Sequence, residues 1–442
     1  MRSVDRGLQS GRFWRRRGVT AFLAAALLAV SIGGTVDARR GAADPAVITD
    51  WNATMVATIV TDAGKGNAEG IFWYSFVQAA VYNAVNGITH KYDLYKWHRY
   101  GPRSASPEAA AASAAYRVLL YYFPASKPRL DAAYAASLAK IPNSRAKRQG
   151  IRYGKHAAWH MIGLRTGDGR DALLTVAPPV MAGDWRPTLP AFAPMLVPWL
   201  SQVKPFTLRS PDQFRPGPPP ALTSATYTAE FNEVKAFGAK TGSSRDATQT
   251  QTALFFSDIA IGPLQGALRD LATRRGLNIS DSARLFAAAD LAGSDSGIAA
   301  WDAKFHYHWW RPITAIQLAA DDGNPDTAPD ALWLPLINTP PYPDYPSGLC
   351  NLMAAVSNSV TRVLGDGSID LNITSVAAGT GGVPLTKHFA TASELVSAAI
   401  NARVWSGIHF RTADVVAAQM GTQVSNWALD HYFKPTKKSD DD

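Results

Sequence analysis

Apolar residues recur three and four positions apart through most of this chain, the period that turns one face of a helix toward a core, and strand-like alternation is scarce. Alanine-rich runs dominate that pattern. It predicts helices over 50–62, 71–88, 107–123, 128–140 and 144–166, then over 226–239, 246–257, 263–275 and 281–317, the last broken near its tryptophans. Further helices are expected over 348–364, 393–404 and 411–433. Ser280 is the expected N-cap of its helix, and glycine with β-formers over 366–383 predicts a short hairpin.

Between Ala177 and Leu222 proline recurs too often for continuous helix, at Pro178, Pro179, Pro187, Pro190, Pro194, Pro198 and Pro218 to Pro220. That stretch is expected to be a long ordered loop. With 47% apolar and 18% charged residues, the 442-residue chain can bury a large core. No fixed-period repeat marks a solenoid or propeller. The expected architecture is therefore an all-α globule of about a dozen helices. Its organisation reads as a signal peptide over 1–38, an N-terminal helical region with the proline-rich connector over 39–222, a helical core over 223–434, and a disordered tail over 435–442.

The leader carries Arg2, Arg6, Arg12, Arg15, Arg16 and Arg17 ahead of the apolar run VTAFLAAALLAVSIGG, and small residues near Ala38 suit a cleavage site. Arg16 and Arg17 loosely fit a twin-arginine signal, so export to a periplasmic or secreted location is expected. The run is shorter than the roughly 20 residues of a spanning helix, and no later segment is apolar enough to span. No stable membrane span is expected after cleavage. Much of the formal net charge of +9 lies in this leader, and the remaining sequence holds no basic block interleaved with aromatics and no zinc-ligand spacing. Nucleic acid is therefore excluded as a partner class. Cys350 is the only cysteine, which rules out an intrachain disulfide and suits a small buried apolar position.

Three separated segments carry candidate chemistry. The first is KFHYHWWRP, with Lys304 and Arg311 seven residues apart; on a continuous helix, roughly 700 degrees of rotation would put both cations on one face, where they repel unless an anion lies between them. The second is PPYPDYPSG, which delivers Ser347 and Gly348 to a helix N-terminus, where free N–H groups and the dipole favour an anion. The third is RVWSGIHFRTAD, in which Arg403 and His409 can face one point only if a break at Ser406 and Gly407 separates two helices. Three cations, a hydroxyl, backbone N–H groups and one histidine suit a tetrahedral oxyanion passing to five-coordination.

Lysine, six residues, arginine-proline, then proline-serine-glycine, then arginine, five residues, histidine resembles the three-part signature of the vanadium-dependent haloperoxidase and type 2 phosphatidic acid phosphatase superfamily. VQAAVYNAVNGI and DQFRPGPPPAL also look like its bacterial haloperoxidase-like branch. The resemblance implies a helical bundle of the vanadium chloroperoxidase and acid phosphatase type. In it Lys304, Arg311 and Arg403 would bind the equatorial oxygens of vanadate or phosphate, with Ser347 and Gly348 adding hydrogen bonds. His409 would ligate vanadium in a peroxidase or attack phosphorus in a phosphatase, and Trp301 and Tyr342 would line the halide side of the pocket.

Two positions depart from that pattern. Leu349 stands where the family places histidine after the proline-serine-glycine, and leucine cannot transfer a proton. Losing a general acid costs roughly 10² to 10⁴ in rate. Asp414 lies five residues after His409 rather than four, which on a helix turns its carboxylate away from the histidine. His306, His308 and His388 are the candidates to replace the missing acid–base group. The leading expectation is a vanadium-dependent haloperoxidase-like enzyme that takes halide, hydrogen peroxide and a small organic substrate. The alternatives are an exported acid phosphatase hydrolysing phosphate monoesters through a phosphohistidine, and a non-catalytic phosphate- or vanadate-binding homologue. A homo-oligomer is left open.

Overall fold

Helix boundaries in the computed structural model, which describes residues 43–176, 178–258, 261–376 and 382–436, fall where the sequence supplies caps and breakers. The leader expected over 1–38 lies outside these residues, as do 437–442 of the expected tail. Pro435 forms a bridge with Tyr92, and the Thr436 N–H donates to the Lys91 carbonyl at 3.1 Å. Helix α1 (Ala46–Val56) runs on through a wider π-type turn over Ala57–Asp62, followed by α2 (Asn67–Thr89), α3 (Pro107–Tyr122), α4 (Lys127–Ala139) and α5 (Arg145–Leu164). Beyond the proline-rich stretch come α6 (Ala225–Gly238), α7 (Ala247–Asp258), α8 (Ile261–Arg274), the long α9 (Ile279–Tyr307) and the short α10 (Pro312–Gln317). Then follow α11 (Gly348–Leu364), the antiparallel pair β1 (Leu371–Ser375) and β2 (Leu385–Phe389), α12 (Ala392–Trp405) and α13 (Arg411–His431).

Three local expectations need correction. Asn278, not Ser280, caps α9: its Oδ1 accepts from the N–H groups of Ser280 and Asp281, both at 3.1 Å, so Ser280 already stands inside the first turn. The hairpin sits later than 366–383, because Leu371 pairs with Phe389 and Ser375 with Leu385. Lys304 and Arg311 do not share a continuous helix. His308 adopts a left-handed conformation (φ 49°) that closes α9, and Pro312, which lacks an N–H, opens α10.

Helix α9 is the axis of the fold. It packs against α2, α11 and α13, and almost every residue from Ser282 to Ala303 is buried. Helix α11 in turn lies against α9, α12 and α13. Its crossing with α13 is backbone-close: a Cβ at Gly421 would lie 2.2 Å from the Asn351 carbonyl oxygen, so only glycine fits. Asn351 also donates to the Ser296 carbonyl of α9, which ties the three central helices together. Among the described residues no helix is long and apolar enough to cross a membrane.

The proline-rich segment is an ordered belt. Asp295, buried in α9, accepts from the N–H groups of Phe206, Thr207 and Leu208 at 2.6, 2.6 and 3.1 Å, which supplies partners the loop backbone would otherwise lack. The Trp301 indole donates to the Leu196 carbonyl at 3.0 Å, and the Leu196 N–H to the Pro341 carbonyl at 2.9 Å. Tyr307 and Tyr345 donate to the carbonyls of Pro216 and Gly217. The belt therefore fastens the C-terminal end of α9 to the loop that precedes α11.

Candidate functional site

The C-terminal end of α9, the N-terminus of α11 and the α12–α13 turn converge on one buried cluster. Lys304 is fully buried in the last turn of α9, and its Nζ donates to the carbonyls of Pro343 at 2.6 Å and Asp344 at 3.0 Å. Arg311, the residue before α10, is also fully buried. Its Nε donates to the Tyr342 carbonyl at 2.7 Å and its Nη1 to the Ile408 carbonyl at 2.6 Å. Chain reversal at His308 thus brings the two cations to the same short loop, 342–344, without a shared helix face. A second apolar cluster containing Trp310, Ile313, Phe231, Val404 and Phe410 supports them.

Ser347 is the N-cap of α11, yet its buried hydroxyl makes no capping bond and instead lies close to Asp414 and Cys350. Gly348 begins the helix, where a Cβ would meet the Trp301 ring at 3.2 Å. Arg403 lies in the last turn of α12 and is only 6% exposed, and its Nε likewise lacks a partner among the described residues. The expected break follows at Gly407, whose φ of 78° is compatible with glycine and where a Cβ would strike the Gly238 carbonyl oxygen at 2.5 Å. The chain then places His409 just before α13.

His409 is 1% exposed and touches partners of opposite character. Its Nδ1 lies 2.7 Å from an Asp344 carboxyl oxygen, and its Nε2 lies 3.1 Å from Arg311 Nη1. Because a guanidinium only donates, the network assigns the lone pair to Nε2 and the proton to Nδ1. The Nδ1 contact is close but not a linear hydrogen bond, and the Phe410 N–H also acts on the Asp344 carboxyl. Burial, followed by the charges of Arg311, Arg403 and Lys304, pushes the His409 pKa well below its ordinary value, so the ring is neutral. A neutral imidazole whose Nε2 carries the lone pair can act as a ligand or a nucleophile once Arg311 Nη1 turns to a guest.

Two carboxyls complete the cluster. Burial pushes the Asp344 carboxyl up to about 8 against the opposing pull of Arg311 and Lys304, and pushes Asp414 up to about 7. Near neutral pH both are substantially protonated and offer little repulsion to an anion. Burial also lowers Lys304 far below its usual value, with Arg311 adding to the shift, and lowers Arg311 as well. Cations held this way gain when a negative guest arrives. Arg311 Nη2 and Arg403 Nε are buried donors without partners among the described residues, and with the Ser347 hydroxyl nearby they fit an oxyanion such as vanadate or phosphate.

Beside the cluster opens a cavity of about 170 Å³, lined by Trp301, Tyr342, Gly348, Leu349 and Arg403 among others. The Trp301 and Tyr342 rings lie 5.1 Å apart, and the Tyr342 face is 4.8 Å from the Arg311 guanidinium and 5.1 Å from Lys304 Nζ. Lys304, Arg311, Ser347, Gly348, Arg403, His409, Trp301, Tyr342 and Leu349 are therefore brought together. The three candidate replacement histidines are not. His306 is exposed, His308 gives its carbonyl to the Trp185 N–H, and His388 is exposed on β2 beside Asp370 at 3.0 Å. Asp414 faces Cys350, whose buried thiol lies 3.3 Å from it, rather than His409.

Asp344 is the functional residue that sequence reasoning missed. It was visible as the one acidic residue in PPYPDYPSG, but no helical period predicts where a loop aspartate points.

Comparison with known proteins bears on the fold and the family resemblance. Residues 284–438 match the family model described as the VCPO second helical-bundle domain. A 96-residue stretch is 41% identical to the vanadium chloroperoxidase of Curvularia inaequalis; it covers 20% of this chain and only 15% of that protein's length. The fold is similar to the crystal structure of a bacterial vanadium-dependent iodoperoxidase, with TM-score 0.75 and 22% identity over 89% of this chain and 98% of that one. A holo-type bacterial vanadium-dependent chloroperoxidase is similar at TM-score 0.69 and 19% identity, over 88% of this chain and 97% of that one. Over residues 284–438 the chain is thus similar to the helical-bundle domain of vanadium chloroperoxidase, and its helical fold is similar to that of the bacterial vanadium-dependent peroxidases.

Proposed function

We propose that this chain is a vanadium-dependent haloperoxidase-like enzyme that holds vanadate in the cluster and oxidises halide with hydrogen peroxide. The observation that carries the proposal is the pair of buried donors without partners among the described residues, Arg311 Nη2 and Arg403 Nε, grouped with a neutral His409. Lys304, Arg311 and Arg403 would hold the oxyanion's oxygens, Ser347 and the Gly348 N–H would add hydrogen bonds, and His409 Nε2 would ligate it. The chemistry supplied by bound vanadate is activation of peroxide toward a halide nucleophile. Asp344 would keep the His409 ring oriented, with its proton on Nδ1. Trp301 and Tyr342 would exclude water from the halide side. The leader over 1–38 supports action after export, in a periplasmic or secreted setting.

Leu349 supports a second reading, a homologue that binds vanadate or phosphate without rapid turnover, because a leucine lines the cavity where the family pattern places an acid–base histidine. Vanadate-loaded protein should oxidise bromide or chloride with peroxide, and His409→Ala should abolish the activity. Tight vanadate binding without halide oxidation would favour the second reading. Hydrolysis of an aryl phosphate that depends on His409 would instead assign the site to phosphatase chemistry.

A further inference from the structure

Helix α5 carries a charge pattern that the buried cluster does not use. Between Asp131 and Asp168 the sequence holds no acid, and Arg145, Arg148, Arg152 and Lys155 stand three or four residues apart. They are not consecutive cations; helical spacing gathers them on one stripe. All four are exposed, as is Trp159 one turn further on. The packing side of the helix fixes the stripe's direction. Tyr153, Ala157 and Met161 are buried, and α5 lies so close to α3 that a Cβ at Gly150 would stand 2.3 Å from the Ser106 carbonyl oxygen and one at Gly154 2.1 Å from that of Ala110.

A neighbouring loop widens the basic face. The Tyr153 hydroxyl donates to the Arg99 carbonyl at 2.5 Å, and His160 Nε2 lies 2.9 Å from the Lys96 carbonyl oxygen. His98 and Arg99, both exposed, are thereby held beside α5, and no acid occurs between Asp93 and Glu108. Arg99, Arg145, Arg148, Arg152 and Lys155 form no ion pair among the described residues. The acids that bound the stretch are taken, Asp131 by Lys127 and Asp168 by Arg165. Unpaired like charges along roughly 15 Å of helix repel one another, so the face gains from a negatively charged partner.

The aromatic residues narrow the partner. Trp159 is 46% and Tyr121 53% exposed, and their rings meet edge to face at 5.7 Å beside the basic end of the stripe. Amphipathic rings next to cations suit the headgroup region of an anionic bilayer. A single-stranded nucleic acid would need free aromatic faces among the cations, yet Trp97, the ring that lies there, is already stacked against Tyr153 at 5.3 Å and His160 at 5.1 Å. A second copy would bring the same sign of charge to the same face. We infer that the outer stripe of α5 and the adjoining 98–99 loop dock the protein on a negatively charged lipid bilayer, with Trp159 and Tyr121 at the headgroup level. The contact is peripheral rather than a span, and it does not depend on the vanadate reading.

Vesicles of equal parts phosphatidylglycerol and phosphatidylcholine, at about 0.1 M salt where screening reaches about 10 Å, are the probe. Co-sedimentation is measured with the full chain and, since residues 42–442 form a compact unit of their own, with the chain lacking 1–41, which takes the leader's arginines out of the comparison. Each lysine or arginine near an anionic bilayer adds roughly fivefold in affinity, so the combined Arg148→Gln, Arg152→Gln and Lys155→Gln variant should bind about 100-fold more weakly in the leaderless chain. Trp159→Ala should weaken binding several-fold. The combined Arg148→Lys and Arg152→Lys variant should bind as the unsubstituted protein does, which separates lost charge from lost folding. Replacing the exposed Lys240, Arg275 and Arg362 by glutamine, outside this face, should leave the affinity nearly unchanged. Equal losses in the two triple variants would overturn the proposal, as would equal binding to vesicles of phosphatidylcholine alone. Tighter binding of a single-stranded oligonucleotide than of the vesicles, lost in the α5 triple variant, would overturn the lipid assignment in favour of a nucleic acid.

Discussion

Replacing Arg403 by alanine isolates the anion-binding role better than any other change in the cluster. Arg311 also fixes the carbonyls of Tyr342 and Ile408, and Lys304 those of Pro343 and Asp344, so their removal would disturb the loop as well as the charge. Arg403 Nε, by contrast, is buried with no partner among the described residues. A hydrogen bond to a charged group is worth about 1.5–3 kcal/mol, so Arg403→Ala should weaken vanadate binding by about 10- to 100-fold. Calorimetric titration with orthovanadate measures this directly, and thermal unfolding gives a second readout. At a vanadate concentration 100 times the dissociation constant, binding stabilises the native state by about 2.7 kcal/mol; a thirtyfold loss of affinity reduces that to roughly 0.9 kcal/mol. Arg403→Lys should recover part of the affinity, because charge remains while the planar fork is lost. Unchanged affinity in Arg403→Ala, in a protein with unchanged unfolding in the absence of vanadate, would refute the reasoning.

Leu349→His should raise turnover by roughly 10²-fold or more if proton transfer limits the reaction, as measured by bromide oxidation under saturating vanadate. Vanadate affinity should fall as pH rises through about 7 to 8, because Asp414 and then Asp344 ionise and oppose the anion, and Asp344→Asn should flatten the upper part of that profile in a titration series. The same elevation fixes a stability trend: a carboxyl whose folded pKa is about 8 rather than 3.8 binds its proton more tightly in the native state, so its contribution is fully present below 3.8 and is lost as pH rises toward 8. Gly421→Ala should destabilise the protein by about 1–3 kcal/mol in chemical denaturation, because its Cβ would overlap the Asn351 carbonyl at the α11–α13 crossing.

Most of the helical framework was legible because its determinants are local. The period and the flanking residues place α11 at Gly348–Leu364, with Ser347 as cap and Gly365 closing the helix at φ 76°. That Lys304, Arg311, Ser347, Arg403 and His409 belong to one cluster was legible because their side chains and spacing are distinctive. What local reasoning missed depends on the path of the chain between elements. Lys304 and Arg311 meet through a left-handed residue at His308, a conformation that carries no sequence signal when glycine is absent. Asp344 reaches His409 because Lys304 and Arg311 draw the 342–344 carbonyls inward, a tertiary effect that no window over PPYPDYPSG contains. Asp414 does face away from His409, toward Cys350, but not through a shared helical period, because His409 stands before α13.

Anomalous diffraction at the vanadium edge, from crystals equilibrated with orthovanadate, addresses the central claim most directly. The account predicts one strong peak within bonding distance of His409 Nε2 and surrounded by Lys304, Arg311, Arg403 and Ser347. A peak elsewhere, or none at a vanadate concentration that saturates binding in solution, would contradict it.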